Sequence, residues 1–188
     1  MKNKKHPIVC FEGVDGSGKT TLSKRLTELC GGAYLKSPPD EIKNTRHLIS
    51  GAGDSITFHH YIYGNAAAGL KAKELSVSKP VFLDRYHYST RAYHYQVIKD
   101  GAKVPDLPEE DLIVFLHADW ETIEKRLGNR NDRKPHENIE NLKKIFEKYE
   151  EVLSKKNNVL KIDTNIHSVE DSIRIVLERL NKNHERKT

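Results

Sequence analysis

Residues 7–30, PIVCFEGVDGSGKTTLSKRLTELC, leave the chain few architectures to choose from. A short apolar run ends in glycine, a glycine-rich stretch follows, and a helical pattern starts at once. Leu22, Leu26 and Leu29 share one face of that helix, and Gly31-Gly32 makes its stop. Gly13-Val14-Asp15-Gly16-Ser17-Gly18-Lys19-Thr20 fits G-x-x-x-x-G-K-[ST] in the setting this pattern requires, with a strand before it and a helix after it. Such a loop turns successive backbone N–H groups into one concavity that holds phosphate oxygens, and a Cβ there would clash with the ligand or the turn. The helix N-terminus adds partial positive charge. The expected nucleotide-binding set is Gly13, Asp15, Gly16, Ser17, Gly18, Lys19, Thr20 and Thr21. Lys19 would reach the β- and γ-phosphates, and the Thr20 hydroxyl would ligate Mg²⁺.

The rest of the chain repeats the same alternation. AYLKSPP, KPVFLDRY, DLIVFLHAD and NVLKID read as further strands. FHHYIYGNAAAGLKAKELSV, STRAYHYQVIKD, WETIEKRL, the stripe from Ile139 to Leu153 and SVEDSIRIVLERL read as helices. The strands are continuously apolar rather than alternating, which predicts a parallel sheet with helices on both faces, a three-layer α/β fold. GNRNDRKPHE is polar, basic and aperiodic, hence a loop.

With 188 residues and no internal repeat or dividing linker, residues 1–188 are expected to form one domain. No apolar stretch approaches the roughly 20 residues that span a bilayer, and the basic N-terminus precedes what reads as a first strand, not a signal peptide. Cys10 and Cys30 lack any C-x-x-C or second pair, so reduced thiols in a cytoplasmic protein are expected. A net charge of +5, spread along the chain without aromatic interleaving, favours small anionic ligands such as nucleotides over nucleic acid.

A bound nucleotide does not name a reaction. N-K-x-D, the guanine box of a GTPase, is absent from the sequence. The strand VFLDRY ends in an acid followed by arginine, not in the adjacent acids of a motor ATPase. An acid–arginine pair at a strand end beside the phosphate loop would supply a second phosphate site, which is what a small kinase needs.

FEGVDGSGKTT, DRYHYSTRAY, DLIVFLHAD followed by ETIEKRL, and RLGNRNDRK lie in that order. Together they resemble the thymidylate kinase family of nucleoside monophosphate kinases over nearly the whole chain. LKSPP, YIYGN and KPVFLDRYHYST further resemble its UMP/CMP kinase branch. The resemblance implies a five-stranded parallel sheet of order 2-3-1-4-5 with a short lid at about 128–137. It implies ATP and Mg²⁺, transfer of the γ-phosphoryl group to a pyrimidine nucleoside monophosphate, dTMP first, and a homodimer. It implies that Asp84 sits near Mg²⁺, Arg85 binds the acceptor phosphate and Asp15 meets the acceptor sugar. Ser89, Thr90 and Tyr93 would line the acceptor pocket, Arg126 would join the nucleotide site, and Arg130 and Arg133 would close over the phosphates from the lid. The family's arginine on the helix before the DR strand is missing here, and Tyr61, Tyr63 or Asn65 would take over part of that site. Two alternatives stay open: a nucleoside kinase using Glu12 as its base, and a nucleotide-binding regulator without catalysis.

Overall fold

The computed structural model describes residues 5–128 and 138–185. The expected lid and its Arg130 and Arg133 lie outside the described residues. Five strands run parallel in the order β2-β3-β1-β4-β5. They are β1 (Ile8–Glu12), β2 (Ala33–Lys36), β3 (Val81–Asp84), β4 (Leu112–His117) and β5 (Val159–Asp163). The helices are α1 (Lys19–Cys30), α2 (Asp40–Asn44), α3 (Asp54–Leu75), α4 (His87–Tyr93), α5 (Tyr95–Lys99), α6 (Trp120–Gly128), α7 (Ile139–Leu153) and α8 (Val169–Glu185).

Two apolar layers explain why the strands read as unbroken hydrophobic runs. Val9, Phe11, Phe82, Val114 and Leu116 face α1 and α8 through Leu22, Leu26, Ile173 and Val176. Their chain neighbours Cys10, Leu83, Ile113 and Phe115 face the other way, onto Ala68 and Ala72 of α3, Ile123 and Leu127 of α6, and Leu142, Ile145 and Tyr149 of α7. Each large side chain buried this way contributes roughly 1.5–3 kcal/mol. Exposed ion pairs such as Arg25–Glu28 and Lys71–Glu74 contribute about 0–1 kcal/mol each, so the layers and not the surface charges hold the fold. Both cysteines are free thiols, Cys10 buried and Cys30 partly so.

The glycines of α3 are close-packing positions. A Cβ on Gly69 would stand 2.0 Å from the Tyr86 hydroxyl, which donates to the Pro108 carbonyl at 2.9 Å.

One local segment adds to the expected elements and one departs from them. The segment after the paired prolines forms α2 and a 3₁₀ turn over Arg46–Ile49; Pro39 precedes α2, and Asp40 and Glu41 fill its first turn, where carboxylates suit the helix dipole. The helix expected over STRAYHYQVIKD is two helices broken at His94, whose φ of −114° and ψ of 33° leave the helical region.

Candidate active site

β1 lies between β3 and β4, with Phe11 in register with Asp84 on one side and Val114 on the other. The carboxyl ends of the three strands therefore emerge together, where ligands bind in open α/β sheets. The glycine-rich loop leaves β1 at Gly13, whose φ is 140° and whose added Cβ would meet the Leu116 carbonyl oxygen at 2.2 Å. Only glycine passes there. The loop closes with Ser17 N–H on the Val14 carbonyl at 3.2 Å and enters α1 through Gly18, which is left-handed at φ 96°.

Lys19 is buried, and its Nζ donates to the Val14 carbonyl at 2.7 Å and to Ser17 Oγ at 3.4 Å. Burial, helped by the nearby Arg85 charge, lowers its pKa to about 8. Thr20 follows in the first turn of α1, and its hydroxyl donates to Asp84 Oδ2 at 2.6 Å. Thr21 is exposed beside it. The Tyr34 hydroxyl donates to the same Asp84 oxygen at 2.9 Å. A hydroxyl and a carboxylate in contact at a phosphate loop are hard oxygen donors of the kind Mg²⁺ takes, so these residues fit the expected ion.

Arg85 directly follows Asp84, and it is the non-glycine residue with positive φ, 70°, among the described residues. A left-handed arginine is uncommon and costs energy, so the surroundings must hold it. Its N–H donates to the Phe11 carbonyl at 3.0 Å. Its Nη2 pairs with Asp15 Oδ1 of the loop. Nη1 donates to the Gly13 carbonyl at 3.3 Å, Ser89 Oγ at 3.1 Å and Tyr149 Oη at 3.2 Å. The Tyr93 hydroxyl donates to the other Asp15 oxygen at 2.8 Å while its ring lies 5.7 Å from the guanidinium. Asp15, Arg85, Ser89 and Tyr93 thus form one cluster beside the loop.

Asn65 is buried on α3 and joins two expected pocket positions. It donates from Nδ2 to Thr90 Oγ1 at 2.8 Å, and its Oδ1 accepts from Ser37 Oγ at 3.0 Å. Tyr61, one turn before Asn65, is half-buried with its ring 6.0 Å from that of His94. Tyr63 does not join them: it stands 64% exposed, because a residue two positions from Asn65 points to the opposite side of a helix. Arg126, near the end of α6, donates to the Gly16 carbonyl at 3.3 Å, Thr164 Oγ1 at 2.8 Å and the Thr164 carbonyl at 3.0 Å. It ties the phosphate loop to the segment after β5.

Sequence reasoning missed Tyr34, Ser37 and Tyr149 as members of this network. Tyr149 occupies a stripe position on α7 where any large apolar ring would serve, so only its hydroxyl distinguishes it. Tyr34 and Ser37 carry no local signal; register with β3 brings in Tyr34, and the Ser37 N–H reaches the Asp84 carbonyl at 3.1 Å just past β2.

The family model and the curated relatives point to one group. A family model described as thymidylate kinase matches residues 11–174. The thymidylate kinase of Leptospira interrogans serovar copenhageni is 32% identical over 190 residues, covering 88% of this chain and 89% of the relative. That of Leptospira borgpetersenii serovar Hardjo-bovis is 28% identical over 211 residues, covering 100% and 99%. Among solved structures, a thymidylate kinase from Candida albicans superposes with a TM-score of 0.75 at 23% identity, covering 96% of this chain and 94% of its own. That likeness speaks for the fold.

Proposed function

The chain belongs to the thymidylate kinase family, and from that premise we propose that it transfers the γ-phosphoryl group of ATP to a pyrimidine nucleoside 5′-monophosphate, converting dTMP to dTDP. Family membership makes it a phosphotransferase acting on nucleotides. The carrying observation is the placement of Arg85 against Asp15 of the phosphate loop, with Lys19 and Thr20 on the same loop. A site for one polyanion and a guanidinium for a second adjoin at the ends of β1 and β3.

The chemistry asks little of proton transfer, because a monophosphate already offers an anionic oxygen. The work is alignment of two repelling phosphates and neutralisation of their charge. The backbone amides of the loop and Lys19 hold the donor phosphates, and Arg85 holds the acceptor phosphate. Asp15 and Tyr93 stand at the acceptor sugar, and Asn65, Thr90 and Tyr61 stand at its base. Arg126 braces the loop from the donor side. Thr20 and Asp84 would hold Mg²⁺, which neutralises phosphate charge when bound. Arg130 and Arg133 belong to the mechanism as lid cations on the strength of the resemblance. Glu12 is fully buried with both oxygens hydrogen-bonded, which argues against a base for a nucleoside hydroxyl.

A UMP/CMP-type acceptor is the rival reading, kept because the helix before the DR strand carries no arginine. A coupled ADP-formation assay with dTMP, UMP, CMP and thymidine separates them. The largest kcat/KM is expected with dTMP; turnover with thymidine and none with any monophosphate overturns the assignment.

A cytoplasmic homodimer completes the proposal. Among the described residues no helix is long and apolar enough to cross a membrane. Ile56, Tyr63, Leu70 and Val77 recur at intervals of seven along α3 and just beyond it, 50%, 64%, 62% and 49% exposed. That spacing lays Ile56, Tyr63 and Leu70 in one seam on the outer face of α3, with Val77 just past its end, the pattern two packed helices share. Small-molecule nucleotides are the partners proposed, with neither nucleic acid nor membrane among them.

A further inference from the structure

Glu12 closes β1, and its carboxylate accepts from four N–H and O–H donors besides the Cys10 thiol at 3.7 Å. Oε1 accepts from Tyr86 N–H at 2.7 Å and Ser89 N–H at 3.2 Å; Oε2 accepts from Ser89 Oγ at 2.6 Å and Tyr149 Oη at 3.0 Å. Tyr86 immediately follows the left-handed Arg85, and Ser89 lies in the first turn of α4. The N-cap residue of α4, Tyr86, caps nothing with its own side chain. A carboxylate from the neighbouring strand therefore does the capping, where the helix presents unpaired N–H groups and partial positive charge. One anion thus fixes both the residue after Arg85 and the helix that carries the acceptor-pocket side chains.

The same carboxylate reaches the guanidinium through two hydroxyls. Nη1 can only donate, and it donates to Ser89 Oγ and Tyr149 Oη. Both hydroxyls turn lone pairs toward Arg85, and both have Glu12 Oε2 within reach of their protons. Ser89 Oγ and Tyr149 Oη also stand 2.7 Å apart, where either can donate to the other in place of Glu12, so Glu12, Ser89, Tyr149 and the partly buried Arg85 form one closed network. Asp15 holds the opposite side of the fork through Nη2.

We infer that Glu12, acting through Tyr149 and Ser89, is the positioning residue that aims the Arg85 guanidinium at the acceptor phosphate. The role is distinct from proton transfer to or from substrate, and it gives α7 a part in the site through Tyr149. The inference rests on the reading that Arg85 binds the acceptor phosphate.

The test measures dTMP and ATP binding by calorimetry, with KM for each, on the full chain. Tyr149→Phe keeps the ring against Phe115 and removes only the hydroxyl. It is expected to weaken dTMP about tenfold while ATP stays within about twofold, because the hydroxyl that links the charged Glu12 and Arg85 is lost. Glu12→Gln keeps the shape and removes the charge, and should weaken dTMP at least as much. The double variant should be within about threefold of the worse single variant, because the two residues act in one network. A Tyr149→Phe protein that binds dTMP within about twofold of wild type, or loses ATP and dTMP affinity equally, overturns the inference, as do fully multiplicative effects in the double variant. If Glu12→Gln does not fold, Tyr149→Phe combined with Ser89→Ala gives the same cycle. A wild-type protein that binds no monophosphate would instead sink the assignment of function, a separate result.

Discussion

Thr20 and Asp84 are joined by a 2.6 Å hydrogen bond between the first turn of α1 and the end of β3. Tyr34 takes the same carboxylate oxygen from the edge strand, so two protein hydroxyls crowd Oδ2. Asp84→Asn keeps the shape but removes the charge that a divalent cation needs. Activity should fall by about 100-fold, close to 2.7 kcal/mol of barrier, and Mn²⁺ bound with ATP, read by electron paramagnetic resonance, should weaken in parallel. Unchanged Mn²⁺ binding would remove Asp84 from the metal site.

Lys19 titrates where solution experiments can see it. Burial lowers its pKa to about 8, so near pH 8.5 much of the ligand-free protein carries a neutral amine. Bound phosphates favour the charged form and raise that pKa again. ATP binding at pH 8.5 should therefore take up roughly half to one proton, measured by calorimetry in two buffers of different ionisation enthalpy. ATP affinity should fall as pH rises from 8 toward 10. Proton release, or none exchanged, contradicts the burial of a titrating Lys19.

Gly69→Ala sets two effects against each other. Alanine gains up to about 1 kcal/mol of helix propensity over glycine. Its Cβ would meet the Tyr86 hydroxyl at 2.0 Å, and overpacking of this kind costs about 1–3 kcal/mol. Packing should win, giving a lower midpoint in urea. A stabilised variant would show that Tyr86 yields freely, against its bond to the Pro108 carbonyl.

Leu70→Glu places a charge in the middle of the exposed seam of α3. Light scattering should report a dimer for the wild-type chain and a monomer for the variant. A wild-type monomer at tens of micromolar would end the homodimer proposal.

The sheet and the phosphate loop were legible because their signals are local. Continuous apolar runs give the buried strands, and Gly13 and Gly18 mark backbone that other residues avoid. The strand order came from the resemblance, since no local pattern tells β1 that β3 and β4 will flank it. The acceptor cluster was legible in part. Arg85 stood out as a charge ending an apolar strand, whereas Tyr149 sat in a helical stripe whose spacing says only that something large is buried there. Tyr63 and Asn65 looked equivalent in YIYGN, but two residues on a helix are about half a turn apart, and only Asn65 faces inward. Segment 40–49 carries no readable period, because helical turns of four or five residues are too short to show one.

The strand order bears on how the protein is made. β1 emerges from the ribosome first, yet its hydrogen-bonded neighbours begin at Val81 and Leu112. Until synthesis has passed His117, the end of β4, the nascent phosphate loop lacks the Leu116 carbonyl it packs against. Chains halted short of that point should be unable to retain nucleotide, so nucleotide capture by the growing polypeptide dates the completion of its central strands.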